Sequence, residues 1–297
     1  MIPEKRIATI LMTVIASGTL FVALASSSEK THFKAGFDCN KAESKIEHSI
    51  CSDEKLARAD MQLNLSYQKP LPRLAKSDAN ELKSNQASWL KSRDKYCSES
   101  DSIVDCIQDA YQRRNELLSE WNLAAEHNFF KRVYWIDKNP SLIPLKVIPE
   151  EPNRSLERYR IVDDFNNDGI EDIALSYEIN MFGNAGGHFY LYLGKSGGEF
   201  RPVGYFFAHP SAINLQKSKK GEGIITTYVR SNAGSGYLIE ERITSAGIFM
   251  VRKKLIQPGD SGVPEDQKLY GELFGTAGMK AEISETKDSS VRWTPLK

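Results

Sequence analysis

Oxygen-bearing side chains alternate in one short segment of the second half of the chain, from Asp164 to Asp172. The segment reads D-x-N-x-D-G-x-x-D, so that a tight turn would aim its short carboxylate and amide oxygens inward. Gly169 permits the sharp bend that such a turn needs. Because all of these donors are oxygens, the pattern predicts a loop that binds Ca²⁺.

The residues around this loop do not predict an EF-hand. The twelfth position is Leu175 instead of a bidentate glutamate, and the flanking residues are strand-like. Over about residues 159–193 the segment resembles the FG-GAP or VCBS type of β-propeller repeat, although a single loop argues against a whole propeller. The resemblance implies a structural calcium ion held by the Ile170 carbonyl and by the side chains of Asp164, Asn166, Asp168 and Asp172. Without an ion the same residues would form an Asx-rich hairpin turn, and both alternatives stay open.

All four cysteines of the chain lie within fewer than 70 residues, at Cys39, Cys51, Cys97 and Cys106. An even number of closely spaced cysteines predicts two disulfides, which suits an oxidising compartment. Three connectivities are open, and the short separations favour Cys39 with Cys51 and Cys97 with Cys106. A zinc site is disfavoured because the sequence contains no C-x-x-C pair.

The sequence offers few groups for catalysis. The five histidines show neither an H-E-x-x-H motif nor another spacing of metal ligands; they are His32, His48, His127, His188 and His209. No G-x-S-x-G motif or cysteine nucleophile is evident. A carboxylate pair for glycoside cleavage stays open, because acidic residues are plentiful and their separation depends on the fold. We therefore predict a protein that is not an enzyme and has no catalytic residues.

The first 25 residues have the pattern of an export signal. Lys5 and Arg6 precede an apolar run over 7–24, and the small residues of Ala23-Leu24-Ala25 suit a signal peptidase. An uncleaved membrane anchor is the alternative, although small and polar residues at 17–19 interrupt the run. No cysteine lies near the cleavage point for acylation. The pattern predicts a periplasmic or secreted product without a stable membrane span.

The charges of the chain balance, with 39 basic and 39 acidic residues. Removal of the export signal takes away Glu4, Lys5 and Arg6, which together carry +1, so the remaining chain is near −1. No basic block is long enough to follow a phosphate backbone. Nucleic acid is therefore not a predicted partner.

Apolar residues at spacings of three and four predict a small helical unit in the first half of the chain. Helices are expected over 52–67, with Ser52 as N-cap, over 77–96 and over 103–121, with a shorter helical segment over 41–50. Disulfides would stabilise helices that are too short to be stable alone.

Period-2 and continuous apolar runs predict strands in the second half. These runs cover 173–177, 188–193, 224–229, 237–243 and 247–251. The proline-rich residues 123–152 read as a connection with one strand at most. The predicted fold class is α+β multidomain, with a linker over 26–37, a helical domain over 38–122 and a mostly antiparallel β domain over 153–297.

The helical half resembles the lysozyme inhibitor LprI-type domain of exported bacterial proteins, over about residues 38–118. The resemblance rests on an ordered set of residues, namely Cys39, Ala42, Glu47, Ile50, Cys51, Leu56, Asp60, Leu63, Tyr67, Gln86, Trp89, Leu90, Arg93, Cys97, Cys106, Tyr111, Arg114 and Leu117. It implies a disulfide-linked helical module in the periplasm or at the cell surface. For at least one family member it implies binding to lysozyme with loss of the activity of that enzyme.

Polar and aromatic members of this set admit two interpretations. Arg93 and Arg114 could touch a partner, but polar groups on a core-facing stripe are usually satisfied internally, so pairing with Glu47 or Asp60 is favoured. Large aromatic side chains at helical spacing are more often core than contact residues. We expect that role of Trp89, Tyr96 and Tyr111.

The segment between Cys97 and Cys106 is a better candidate for a partner-binding surface. If a disulfide closes it, the segment presents Glu99, Asp101 and Asp105 on a restrained acidic loop. Lysozymes are typically basic, so opposite charge would steer the encounter, and the disulfide would reduce the entropy lost on binding. The alternative is a solvated turn between two helices.

Together these features predict an exported binding protein that inhibits a lysozyme or another peptidoglycan-degrading protein by occluding it. The alternative is a calcium-stabilised structural or adhesion protein of the cell envelope, in which the β domain binds a surface partner. Chelator-sensitive binding to cells without an effect on lysozyme would favour that alternative.

Overall fold

The computed structural model describes residues 33–127, 134–135, 155–196, 199–275, 278–279 and 282–287. The predicted export signal and most of the predicted connection over 123–152 lie outside these residues. None of the helices in the described ranges combines the length and the apolar character that crossing a membrane requires.

The described residues form five α-helices and ten strands. The helices are α1 (Lys45–Ser52), α2 (Glu54–Gln68), α3 (Lys76–Ser98), α4 (Ile103–His127) and α5 (Pro264–Phe274). The strands are β1 (Tyr134–Trp135), β2 (Ser155–Asp163), β3 (Asp172–Glu178), β4 (Gly187–Gly194), β5 (Glu199–Ala208), β6 (Ile213–Lys217), β7 (Glu222–Arg230), β8 (Gly236–Thr244), β9 (Gly247–Ile256) and β10 (Glu282–Lys287). The α+β fold class is confirmed, whereas α5 and the strands β5, β6 and β10 were not expected from the sequence.

The starts of the first two helices are fixed by side-chain caps. Ser44 and Glu47 form a capping box at α1, in which each side chain accepts a hydrogen bond from the backbone amide of the other. At α2 the Asp53 carboxylate accepts from the amides of Lys55 and Leu56. The prediction that Ser52 caps this helix is wrong: Ser52 is the last residue of α1, and the neighbouring carboxylate is the acceptor that satisfies the free amides.

The strands form two antiparallel sheets. The first has six strands in the order β1-β5-β4-β3-β2-β10, and the second has four in the order β6-β7-β8-β9. Apolar side chains from both sheets build one core, among them Phe189, Phe206, Ile225 and Ile243. We call the two sheets with this shared core the β sandwich.

Helices α1 to α4 form a second core. We call these four helices together with that core the helical module. Its buried residues include Leu56, Leu82 and Ile107, and Phe33 and Phe37 pack against it from the segment before the first cysteine. Strand β9 completes this core with Phe249 and Val251. Because side chains alternate along a strand, the intervening residues of β9 face the other way, and Ile248 belongs to the core of the sandwich.

Candidate functional site

Both disulfides form between the nearer cysteines. Cys39 pairs with Cys51 at a Cα–Cα distance of 5.8 Å, and Cys97 pairs with Cys106 at 5.4 Å. The favoured connectivity is therefore confirmed. The second disulfide joins the end of α3 to the start of α4 and closes the segment that carries the three acidic side chains.

The closed segment lies against strand β9. The amide of Asp101 donates to the carbonyl of Val251 at 3.1 Å, and its carboxylate lies 3.4 Å from the Arg252 guanidinium. The side chains of Glu99 and Asp105 are exposed, as is that of Asp101. The three predicted contact residues thus share one solvent-facing loop, which a disulfide closes and a hydrogen bond to the sandwich holds.

The loop has further hydrogen bonds of its own. Ser100 Oγ accepts from the amide of Ser102 at 3.3 Å and donates to the carbonyl of the same residue at 3.2 Å. Ser102 Oγ accepts from the amide of Asp105 at 3.4 Å at the start of α4. Val104 stands beside these groups as an exposed apolar side chain. The arrangement is a rigid acidic edge with one apolar residue.

A buried polar network supports the helices beneath the loop. Tyr111 accepts a hydrogen bond from Arg93 at 2.9 Å and donates to Asp60 at 2.6 Å. Arg93 also lies 2.6 Å from Asp94. Burial, which is the main cause, raises the pKa of the Tyr111 hydroxyl above its ordinary value, so the tyrosine stays neutral and can donate.

The structure places the predicted arginines and aromatics in the core. Trp89, Tyr96 and Tyr111 are each at most 3% exposed, which confirms the core interpretation. Arg93 lies 3.8 Å from Asp60, as expected. For Arg114, the expected carboxylate partner is wrong: it bonds to neutral amide side chains of α3, which are within its reach on the facing helix.

Helix α3 is joined to strand β7 through Glu222. The carboxylate accepts hydrogen bonds from Lys95 at 2.8 Å and from the Tyr96 hydroxyl, and it lies 3.1 Å from Lys219. Burial alone would raise the pKa of Glu222, but these hydrogen bonds outweigh it and lower the pKa to about 2. Tyr96 also stacks on Phe249, with 5.5 Å between the ring centroids.

Helix α4 is joined to the sandwich by a second charged contact. Arg113 donates to the Glu241 carboxylate and to the carbonyl of Tyr205, and it lies 2.9 Å from Asp109 on its own helix. Glu241 is 1% exposed. Burial lowers the pKa of Arg113, but the charges of Asp109 and Glu241 outweigh it and hold the pKa above its ordinary value, so the arginine stays charged.

The sequence analysis missed these contacts between the helical module and the sandwich. Glu222 and Glu241 lie on strands at positions where a charged residue is usually solvent-exposed, and nothing in their local pattern shows that a helix covers them. The continuous apolar run over 247–251 did carry a signal, because a strand without alternation is typically buried on both faces.

The predicted calcium loop joins β2 to β3 and closes on its own polar groups. Asp164 accepts hydrogen bonds from the amides of Asp168 and Gly169, both at 3.0 Å. Asp168 accepts from the amide of Ile170 at 2.8 Å and from the Asn166 side chain at 2.9 Å. These bonds define the turn.

Asp172, the last predicted ligand, is 0% exposed at the start of β3. Its oxygens accept from the amides of Phe165 at 2.8 Å and Gly194 at 2.9 Å. Burial raises its pKa to about 7, against the effect of these hydrogen bonds. Within the described ranges no group of three or more carboxylate, His or Cys side chains is placed to hold a metal ion. The hydrogen bonds account for the turn, and calcium binding there stays a prediction.

The described residues thus form a disulfide-bonded helical module that packs on an antiparallel β sandwich. Residues 39–118, from the first 3₁₀ turn into α4, match the model of the family called lysozyme inhibitor LprI. No curated protein matches the chain significantly, and neither does any solved structure.

Proposed function

We propose that this protein is exported and inhibits a lysozyme or a similar wall-degrading enzyme by occluding its substrate cleft. The observation that carries the proposal is the match of residues 39–118 to the lysozyme inhibitor LprI model. Two disulfides inside the matched segment suit a protein that works in an oxidising compartment.

In this proposal the loop between Cys97 and Cys106 makes the contact. Glu99, Asp101 and Asp105 present negative charge in water, which would steer a basic enzyme towards the loop. Because the loop is closed covalently and bonded to β9, little conformational entropy would be lost on binding.

The test uses residues 26–297, produced through an oxidising compartment so that both disulfides form. The protein is titrated into lysozymes of the c, g and i types while they clear bacterial cell walls. We expect dose-dependent inhibition of at least one type, weakened by added salt because the charges are exposed. No inhibition of any of the three would overturn the proposal.

The loop is tested by one variant that carries Glu99→Gln, Asp101→Asn and Asp105→Asn. We expect about tenfold weaker inhibition, because exposed charges at the edge of an interface each contribute modestly. The matched control neutralises three exposed acids near α5 and changes the net charge equally; it carries Asp260→Asn, Glu265→Gln and Glu272→Gln. An equal loss in both variants would contradict a specific role for the loop.

A further inference from the structure

Three arginine side chains of the helical module are buried, with exposures of 4% for Arg93, 8% for Arg113 and 2% for Arg114. A buried charge is costly unless an opposite charge lies beside it. Two of the three have such a partner: Arg93 lies 2.6 Å from Asp94, and Arg113 lies 2.9 Å from Asp109. Arg114 differs from both.

The hydrogen-bond partners of Arg114 are neutral side chains. Its Nε donates to the Gln86 side chain at 2.8 Å, its Nη1 donates to the Asn85 side chain at 2.6 Å, and its guanidinium lies 5.6 Å from the Trp89 ring centre. The Nη2 nitrogen is buried and has no hydrogen-bond partner in the part of the chain that the structure describes. A full positive charge and an unused donor are therefore left inside the protein.

A second arginine increases this excess of positive charge. Arg201 of β5 is half-buried. The pKa of Arg114 is lowered to about 9, mainly by its own burial and next by the charge of Arg201. Tyr67 of α2 acts weakly in the opposite direction on Arg114. The charge of Glu81 of α3 raises the pKa of Arg201, but burial outweighs it and holds that pKa below its ordinary value.

We propose that Arg114 and Arg201 form a binding site for a small oxyanion, of the carboxylate or phosphate class, at the junction of α3, α4 and β5. The unused Nη2 donor of Arg114 would bond to the anion, and Arg201 would hold it from the half-exposed side. The guanidinium of Arg201 could bond to two oxygens of one oxyanion at once, whereas chloride offers a single atom. A bound anion would offset the positive charge of Arg114 and Arg201.

The test measures thermal unfolding of dialysed residues 26–297 in phosphate, sulfate, acetate and chloride at equal ionic strength. At about ten times Kd, one specifically bound anion raises Tm by about 3 °C for a chain of this size. Phosphate and sulfate also stabilise proteins in general by exclusion from their surface, so the comparison between variants decides the result. Acetate against phosphate separates the carboxylate from the phosphate source.

The decisive variant is Arg201→Gln, because Arg201 is only half-buried and its loss spares the core. The control is Arg58→Gln on α2, which removes an exposed guanidinium. We expect the oxyanion-specific rise in the native protein and in the Arg58 variant, and its loss in the Arg201 variant, with calorimetric titration of phosphate giving the same order. No specific rise, or an equal rise in the Arg201 variant, would overturn the site and leave Arg114 as a structural residue only.

Discussion

The helical module and the β sandwich differ in how their cores are completed. The core of the sandwich consists of residues from the strands and from the loops between them, such as Phe165, Phe206 and Ile243. The core of the helical module includes Phe249 and Val251, which belong to a strand of the sandwich. The dependence of the apolar cores therefore runs in one direction: the core of α1 to α4 includes sandwich residues, whereas the core shared by the two sheets contains no helical residue.

This difference bears on how the matched segment works. Residues 39–118 contain the four cysteines and the acidic loop, but not the strand that covers α3 and α4. Two charged contacts, at Glu222 and Glu241, add to the apolar contact that Phe249 and Val251 of β9 make with the helices. We therefore expect inhibition to require the sandwich as a support, and the experiments use the whole chain after the predicted signal.

The largest effect is expected from Phe249→Ala. Phe249 is 0% exposed and stacks on Tyr96, so its truncation leaves a cavity beneath α3 and costs about 3–5 kcal/mol of the free energy of unfolding. The matched control is Phe206→Ala, since Phe206 is equally buried and stacks on Phe189 at 5.4 Å in the other core. Denaturant unfolding of both variants measures the loss in free energy of unfolding. A loss below about 1 kcal/mol for Phe249→Ala would contradict the role of Phe249 in completing the core of the helical module.

The second effect is expected from Glu241→Gln, which leaves the buried Arg113 with Asp109 alone. We expect a loss of about 2–3 kcal/mol, because removing one partner of a buried ion pair leaves the other uncompensated. Glu240→Gln is the control on the same strand, since its partner Arg252 is exposed and Glu240 is only half-buried, so the pair contributes under about 1 kcal/mol. Equal losses in the two variants would show that the buried pair holds α4 no better than a surface pair.

The sequence predicted most of the elements and few of the contacts between them. Helical spacing, turn residues and cysteine separation are local properties, and they predicted α1 to α4, both disulfides and the strands β3, β4, β7, β8 and β9, but not β5 or β6. The helix α5 escaped because its eleven residues include a proline and a glycine and lie among loop residues. The packing of the helices on β9 was not predicted, because it depends on which face of a strand meets which helix. Only the continuous apolar run over 247–251 indicated that this strand is buried on both faces.

A third, smaller effect concerns pH. The pKa of Glu222 is lowered to about 2 from an ordinary value of about 4.5, so the stability it contributes is present above pH 4.5 and is lost as the pH falls towards 2. Since Lys95 and Lys219 reach solvent, we expect a loss of about 1–2 kcal/mol over that range. In Glu222→Gln this part of the acid sensitivity should vanish, whereas Glu54→Gln on the surface of α2 should retain it. Identical acid profiles for the native protein and the Glu222 variant would refute the link.

The smallest effect on stability is expected from adding or removing Ca²⁺ at the predicted loop over 164–172. If the loop binds the ion, added Ca²⁺ raises Tm and a chelator reverses the rise, and Asp164→Asn with Asp168→Asn abolishes it. The hydrogen bonds of the loop define its turn already, so the sheet should keep its circular dichroism spectrum in the chelator. An unchanged Tm at millimolar Ca²⁺ would leave the loop as an Asx-rich turn.

The one-directional dependence is tested most directly by native-state hydrogen exchange of the two phenylalanine variants. In Phe249→Ala we expect the amides of α3 and α4 to lose protection while those of β3, β4 and β7 keep it, because the core of the sandwich is intact. In Phe206→Ala we expect both regions to lose protection together. The one-directional dependence would be contradicted if the amides of α3 and α4 stay protected in Phe249→Ala. It would also be contradicted if they stay protected in Phe206→Ala while those of the strands lose protection.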